Sequence, residues 1–165
     1  MKKSYTKNIE NENLVNISDR HYIYDLIDTL NSFFRNHFEG VVKIESLIEH
    51  PFYIAFDGGK FSRLLSYALS LETGGKVIHI YLRELDGELN VLIGTKDGLK
   101  IDEVCEAELH RLAEDAEFSI TLRDDAIIAS KKVEFVDTVP IHAINVQNAL
   151  YDQLYCAFFS DKKNV

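Results

Sequence analysis

The chain is short of residues that announce a function. It has two cysteines, two prolines, one methionine and no tryptophan in 165 residues. Cys105 and Cys156 form neither a metal spacing nor a disulfide framework, and each sits in an apolar helical context where a reduced, buried thiol is expected. No uncharged apolar run approaches the roughly 20 residues that a bilayer-spanning helix needs. The lysines of Met1-Lys2-Lys3-Ser4-Tyr5-Thr6-Lys7 have no apolar segment behind them, so a cytoplasmic protein is expected. Positive charge is scarce as well. A formal net charge of -9 repels phosphate backbones, which argues against nucleic acid and favours a basic partner surface. Repeats and low-complexity tracts are missing. His21, His37, His50, His79, His110 and His142 are scattered without a His-x-x-x-His pair, so no metal is expected. No nucleophile elbow or P-loop is visible, and no catalytic residue can be assigned.

What is present is enough apolar content, 46%, to close one core. Residues 1–13 are polar and read as a flexible arm, 14–140 as the folded domain, and 141–165 as a C-terminal helix packed on the domain or at an interface. Ser18 is a natural N-cap, with Ile17 and Tyr22 placed as a hydrophobic staple. Behind it, Tyr22, Ile23, Leu26, Ile27, Leu30, Phe33, Phe34 and Phe38 recur at helical spacing up to Gly40. Strands are expected at 41–48 and 52–56. A second helix opens at Asp57, carries Phe61, Leu64, Leu65, Ala68, Leu69 and Leu71, and closes at Thr73-Gly74-Gly75. Asp86-Gly87 marks a hairpin of 76–83 with 88–94. A third helix over 102–116 carries Val104, Cys105, Leu109, Leu112, Ala113 and Ala116, with acids in its first turn. A second hairpin joins 118–122 to 126–135. The last helix, 143–160, bears a stripe of Leu150, Tyr151, Leu154, Tyr155, Phe158 and Phe159.

This order predicts an α+β two-layer sandwich, a mixed sheet of about six strands with helices on one face and an extra C-terminal helix. The order, the Asp57-led helix, the Gly74-Gly75 turn and Lys96-Asp97-Gly98-Leu99-Lys100 after the fourth strand resemble the ATPase domain shared by histidine kinases, gyrase-type topoisomerases, heat-shock chaperones and mismatch-repair proteins, the GHKL group. The resemblance covers residues 19–135.

In that family an asparagine on the second helix holds the magnesium that bridges the phosphates. Leu71 stands at its place, and Tyr67 stands one turn earlier where a second asparagine often sits. Neither offers the oxygen that Mg²⁺ requires. A slip of one residue offers Ser70 or Glu72, of which only the Glu72 carboxylate is a credible substitute, and as a charged residue near a helix end Glu72 also reads as simply solvated. The family's Asp-x-Gly-x-Gly motif accepts a hydrogen bond from adenine through its aspartate. With Gly98 aligned, Lys96 replaces the aspartate and Lys100 the second glycine, and an ammonium cannot accept. Asp97 recovers the role only with a one-residue shift; otherwise Lys96-Asp97-Gly98 is a polar turn. The family's glycine-rich lid, whose backbone N-H groups meet the phosphates, has no counterpart, because no glycine follows Gly98.

The resemblance therefore implies a degenerate module without a cofactor or enzymatic activity. It is expected to act through contact with another protein in signalling, with Tyr151, Tyr155, Phe158 and Phe159 as contact residues; packing of that stripe on the domain's own body is the other reading. A homodimer stays open. The alternative is a divergent ATP-binding enzyme, or a phosphotransferase using His21. That histidine is expected near the start of the first helix, on the surface, in a context faintly like a phosphoacceptor.

Overall fold

The computed structural model describes residues 20–71, 77–94, 101–135 and 144–160. The expected arm at 1–13, the Ser18 cap with Ile17, the Thr73-Gly74-Gly75 turn and Pro140 lie outside them. The elements run β1 (Arg20–Tyr22), α1 (Ile23–His37), β2 (Val42–Ser46), β3 (Phe52–Ala55), α2 (Gly58–Ser70), β4 (Ile78–Leu85), β5 (Glu88–Gly94), α3 (Glu103–Asp115), β6 (Ser119–Leu122), β7 (Ala126–Lys132), β8 (Glu134–Phe135) and α4 (Ile144–Tyr155), which continues as a π-helical turn over Cys156–Ser160.

The architecture is the mixed α+β sandwich, with its strands divided between two sheets. The main sheet is five-stranded in the order β2-β4-β5-β7-β6. Its β2–β4 pair is parallel and the others antiparallel. Strand β3 leaves this sheet and joins β1 and β8 in a second, three-stranded one.

That second sheet moves the start of the first helix. Arg20, His21 and Tyr22 pair with Ala55, Ile54 and Tyr53, and a backbone committed to a ladder cannot also form a first helical turn. Helix α1 therefore begins at Ile23 behind an extended Tyr22 that makes no side-chain cap bond. Its apolar stripe is as the spacing predicts, with Ile23, Leu26, Ile27, Leu30, Phe33 and Phe34 buried.

The β4–β5 hairpin turns on Asp86 and Gly87, whose φ angles of 54° and 80° are those of a turn matched to the twist of paired strands. Alternation then sorts the main sheet. Ile80, Ile93, Ile127 and Leu122 form one cross-strand row, and Leu82, Val91, Ala129 and Ile120 the next. Both rows face the helices and join one core with Phe61, Leu65, Leu109 and Phe118. Residues between those rows, His79, Tyr81 and Arg83 among them, occupy the opposite face.

Three expected core positions are displaced. Val104 is 77% exposed, because the buried line of α3 runs through Leu109, Leu112 and Ala113 and Val104 falls beside it. Cys156 is exposed and Cys105 half-buried, so neither thiol is a core residue.

Candidate functional site

The place where the family pattern puts a nucleotide lies around α2 and α3, and both helices begin on their own aspartates. Asp57 Oδ1 accepts from the backbone N-H of Lys60 at 3.0 Å, and Asp102 Oδ1 from that of Cys105 at 2.8 Å. The second bond holds the Asp102 carboxyl below its ordinary pKa. A helix start that gathers phosphate elsewhere here carries Asp102 as its cap and Glu103 and Glu106 in its first turn, which repels a triphosphate.

Side chains of the two helices meet directly. Asp115 at the end of α3 lies 3.6 Å from Lys60 Nζ and 3.9 Å from an Arg63 guanidinium nitrogen. These pairs are half-exposed and contribute less than about 1 kcal/mol each, so their importance is geometric. Toward the other end, Tyr67 neighbours the Cys105 thiol; desolvation, then that neighbour, push the Tyr67 pKa up to about 12. Tyr67 and Leu71 both pack against the core. Leu71, the C-cap of α2, donates its backbone N-H to the Ala68 carbonyl. Glu72, Lys96, Asp97, Gly98 and Lys100 lie outside the described residues. Among the described residues no cluster of three His, Cys, Asp or Glu side chains converges on a metal position.

His21 is neither on the surface nor in a helical turn. It sits on β1 at 4% exposure with its ring flat on Phe56, centroids 4.0 Å apart and planes 11° from parallel. Burial lowers its pKa to about 4, against a hydrogen bond to the Phe56 backbone that pulls it up. Phosphoryl transfer requires an imidazole nitrogen that a donor can reach, and Nε2 is buried without a hydrogen-bond partner.

The C-terminal stripe packs mainly on the domain itself. Phe158 is buried beside Phe33, Phe34 and Phe38, and Phe159 stacks on Phe38 at 5.7 Å. The Tyr151 hydroxyl accepts from Asn36 Nδ2 at 3.0 Å and lies 3.1 Å from His37 Nε2. Tyr155, against His37 and Phe159, is 46% exposed and is the member of the stripe left facing outward.

A different concavity occupies the far face of the main sheet. His79, Tyr81 and Arg83 from β4, Leu92 and Gly94 from β5, Ala126 and Ile128 from β7, and Arg123 and Asp125 from the β6–β7 turn enclose about 630 Å³. The hollow exists because Gly94 and Ala126 pair side by side and add little bulk. A Cβ on Gly94 would run into the Asp125 carbonyl, so the turn closes tightly over the strand. Sequence reasoning missed this groove. Its one linear trace is the alternation of large polar residues at 79, 81 and 83, which reads equally as an ordinary solvated sheet face.

No family model matches the sequence, and no curated protein matches it. The solved structures to which it is similar include two histidine kinases. The Acinetobacter baumannii histidine kinase AdeS is 11% identical, with 82% of this chain and 80% of that one covered at a TM-score of 0.42. The cytoplasmic segment of the histidine kinase QseC is 14% identical, with 68% and 76% covered at a TM-score of 0.37.

Proposed function

We propose that the chain is a non-catalytic module, built on a histidine-kinase-like sandwich, that acts by contacting another protein in a signalling pathway. The observation that carries this reading is the direct meeting of α2 and α3: Tyr67 on Cys105 at one end, Lys60 and Arg63 on Asp115 at the other. A nucleotide with its metal needs that space and needs oxygen ligands around the cation. The chain offers a leucine and a tyrosine there, and a carboxylate-capped helix where phosphates would dock. What remains for function is surface, and Tyr155 supplies an amphipathic contact residue of the kind enriched at interfaces.

Titration of the purified protein with ATP and Mg²⁺, read as melting temperature, tests the first half. A ligand at 100 times its Kd adds about 2.7 kcal/mol, several degrees in a domain of this size. We expect no shift, and a saturable rise would overturn the reading. For the second half, the partner retained by the full chain is expected to be lost by Tyr155→Ser at unchanged melting temperature. Equal retention by both proteins would remove Tyr155 as the contact.

A further inference from the structure

We propose that the groove on the far face of the main sheet is a binding site for a small aromatic anion, a ring bearing a carboxylate or phosphate group. Three features of the groove carry this, and none involves the α2–α3 region.

The first is charge. In a chain of net charge -9, this hollow gathers Arg83, Arg123 and His79 against the single carboxylate of Asp125. Neither arginine forms an ion pair among the described residues. Guanidinium groups hold carboxylates and phosphates through paired N-H donors.

The second is unmet hydrogen bonding. Among the described residues, His79 Nδ1 and Arg83 Nε are buried without a hydrogen-bond partner. Buried polar atoms are nearly always paired in a native fold. Both residues line the groove, and a shift of either side chain brings its unpaired nitrogen to a ligand there.

The third is shape. Register puts Tyr81, Leu92 and Ile128 in one row across three strands, an apolar strip beside the small Gly94–Ala126 hollow. The Tyr81 and His79 rings are stacked, 5.8 Å between centroids with planes 11° from parallel, and put aromatic surface beside the strip. The volume of about 630 Å³ falls in the range of small-molecule sites. The two guanidinium groups flank the apolar strip, Arg123 beside the Gly94–Ala126 pair and Arg83 one row beyond Tyr81 on the other side, so a planar body on the strip carries an anionic head to an arginine at its end.

Phenyl phosphate is a suitable probe, with benzoate, phenol and inorganic phosphate as separate arms, each titrated into the ¹⁵N-labelled full chain. Phenyl phosphate or benzoate is expected to move the amides of Tyr81, Leu92 and Ile128 saturably, with a Kd on the order of 1 mM; which of the two binds tighter identifies the anion. Phenol and inorganic phosphate should bind at least about tenfold more weakly. Arg123→Gln lies on an exposed turn and should leave the rest of the spectrum in place while weakening the probe about tenfold, as should Arg83→Gln. The proposal is overturned if these amides do not move, if both variants bind as the parent does, or if inorganic phosphate alone reproduces the affinity.

Discussion

The His21 imidazole lies flat against the Phe56 ring, 4.0 Å between centroids, and this contact couples the stability of the fold to pH. Burial holds the folded pKa at about 4 against an ordinary value of 6.5. The folded state thus favours the neutral ring, and the unfolded chain binds more protons between those two values. The stabilisation is fully present above pH 6.5 and is lost as the pH falls through 4, a total of about 3 kcal/mol from this one residue. We expect His21→Phe, which keeps a ring on Phe56, to flatten the stability profile between pH 6.5 and 4. Chemical denaturation at several pH values reads this directly, and an unchanged slope in the variant would assign the acid sensitivity to other groups.

Gly94 and Gly58 make a paired prediction, because a Cβ on either meets an atom closer than contact distance but the obstacles differ. At Gly94 it is the backbone carbonyl of Asp125, held by the β6–β7 hairpin. At Gly58 it is the carboxamide oxygen of Gln153, the far end of a flexible side chain. Gly94→Ala should therefore cost about 1–3 kcal/mol, the usual penalty for overpacking. Gly58→Ala should stay within about 1 kcal/mol of the parent, since Gln153 can turn away and alanine suits a helix better. Equal losses in urea denaturation would mean that the turn yields as readily as the glutamine.

The local signals in the sequence were accurate where one short stretch contains the whole cause. Asp86-Gly87 demands positive φ and produces the hairpin; Asp57 and Asp102 offer a carboxylate to the backbone three residues on and open α2 and α3. The departures occur where a distant partner decides. Nothing near Arg20–Tyr22 reveals that Tyr53–Ala55 will capture them as a strand, so Ser18 looked like the cap and His21 like a surface residue. For the same reason β3 went to the second sheet, although its composition says only that it is a strand. The groove is the clearest case. It depends on Gly94 lying beside Ala126 and on a turn folded over both, a register that no single strand encodes. Leu71 was legible as a packing side chain, whereas the packing of Tyr67 on the core and its approach to Cys105 across two helices were not.

The aromatic stripe of α4 divides into a structural part and an accessible part. Phe33 is fully buried and meets Tyr151, Phe158 and Phe159, while Phe158 also meets Phe34 and Phe38. Truncating Phe158 to alanine removes a ring from this cluster and should cost about 3–5 kcal/mol. Tyr155 is 46% exposed, and Tyr155→Ala should cost less than about 1 kcal/mol. Urea midpoints of the two variants check the contrast. A large loss at Tyr155 would make it a packing residue and withdraw it as a contact surface.

Restoring the family's residue at one position should not restore a nucleotide site. Leu71→Asn supplies one amide oxygen where magnesium needs an octahedral set, and it leaves the Tyr67–Cys105 and Asp115 contacts that join α2 to α3 untouched. The side chain it replaces packs half-buried on the core, so the variant should lose about 1–2 kcal/mol through the removed apolar contact. Adding ATP and Mg²⁺ should return none of that loss. If saturating nucleotide instead raises the melting temperature of Leu71→Asn and not of the parent, one ligand was all the pocket lacked. If neither moves, the missing ligands, the acidic start of α3 and the contact between the helices act together, as the proposed reading requires.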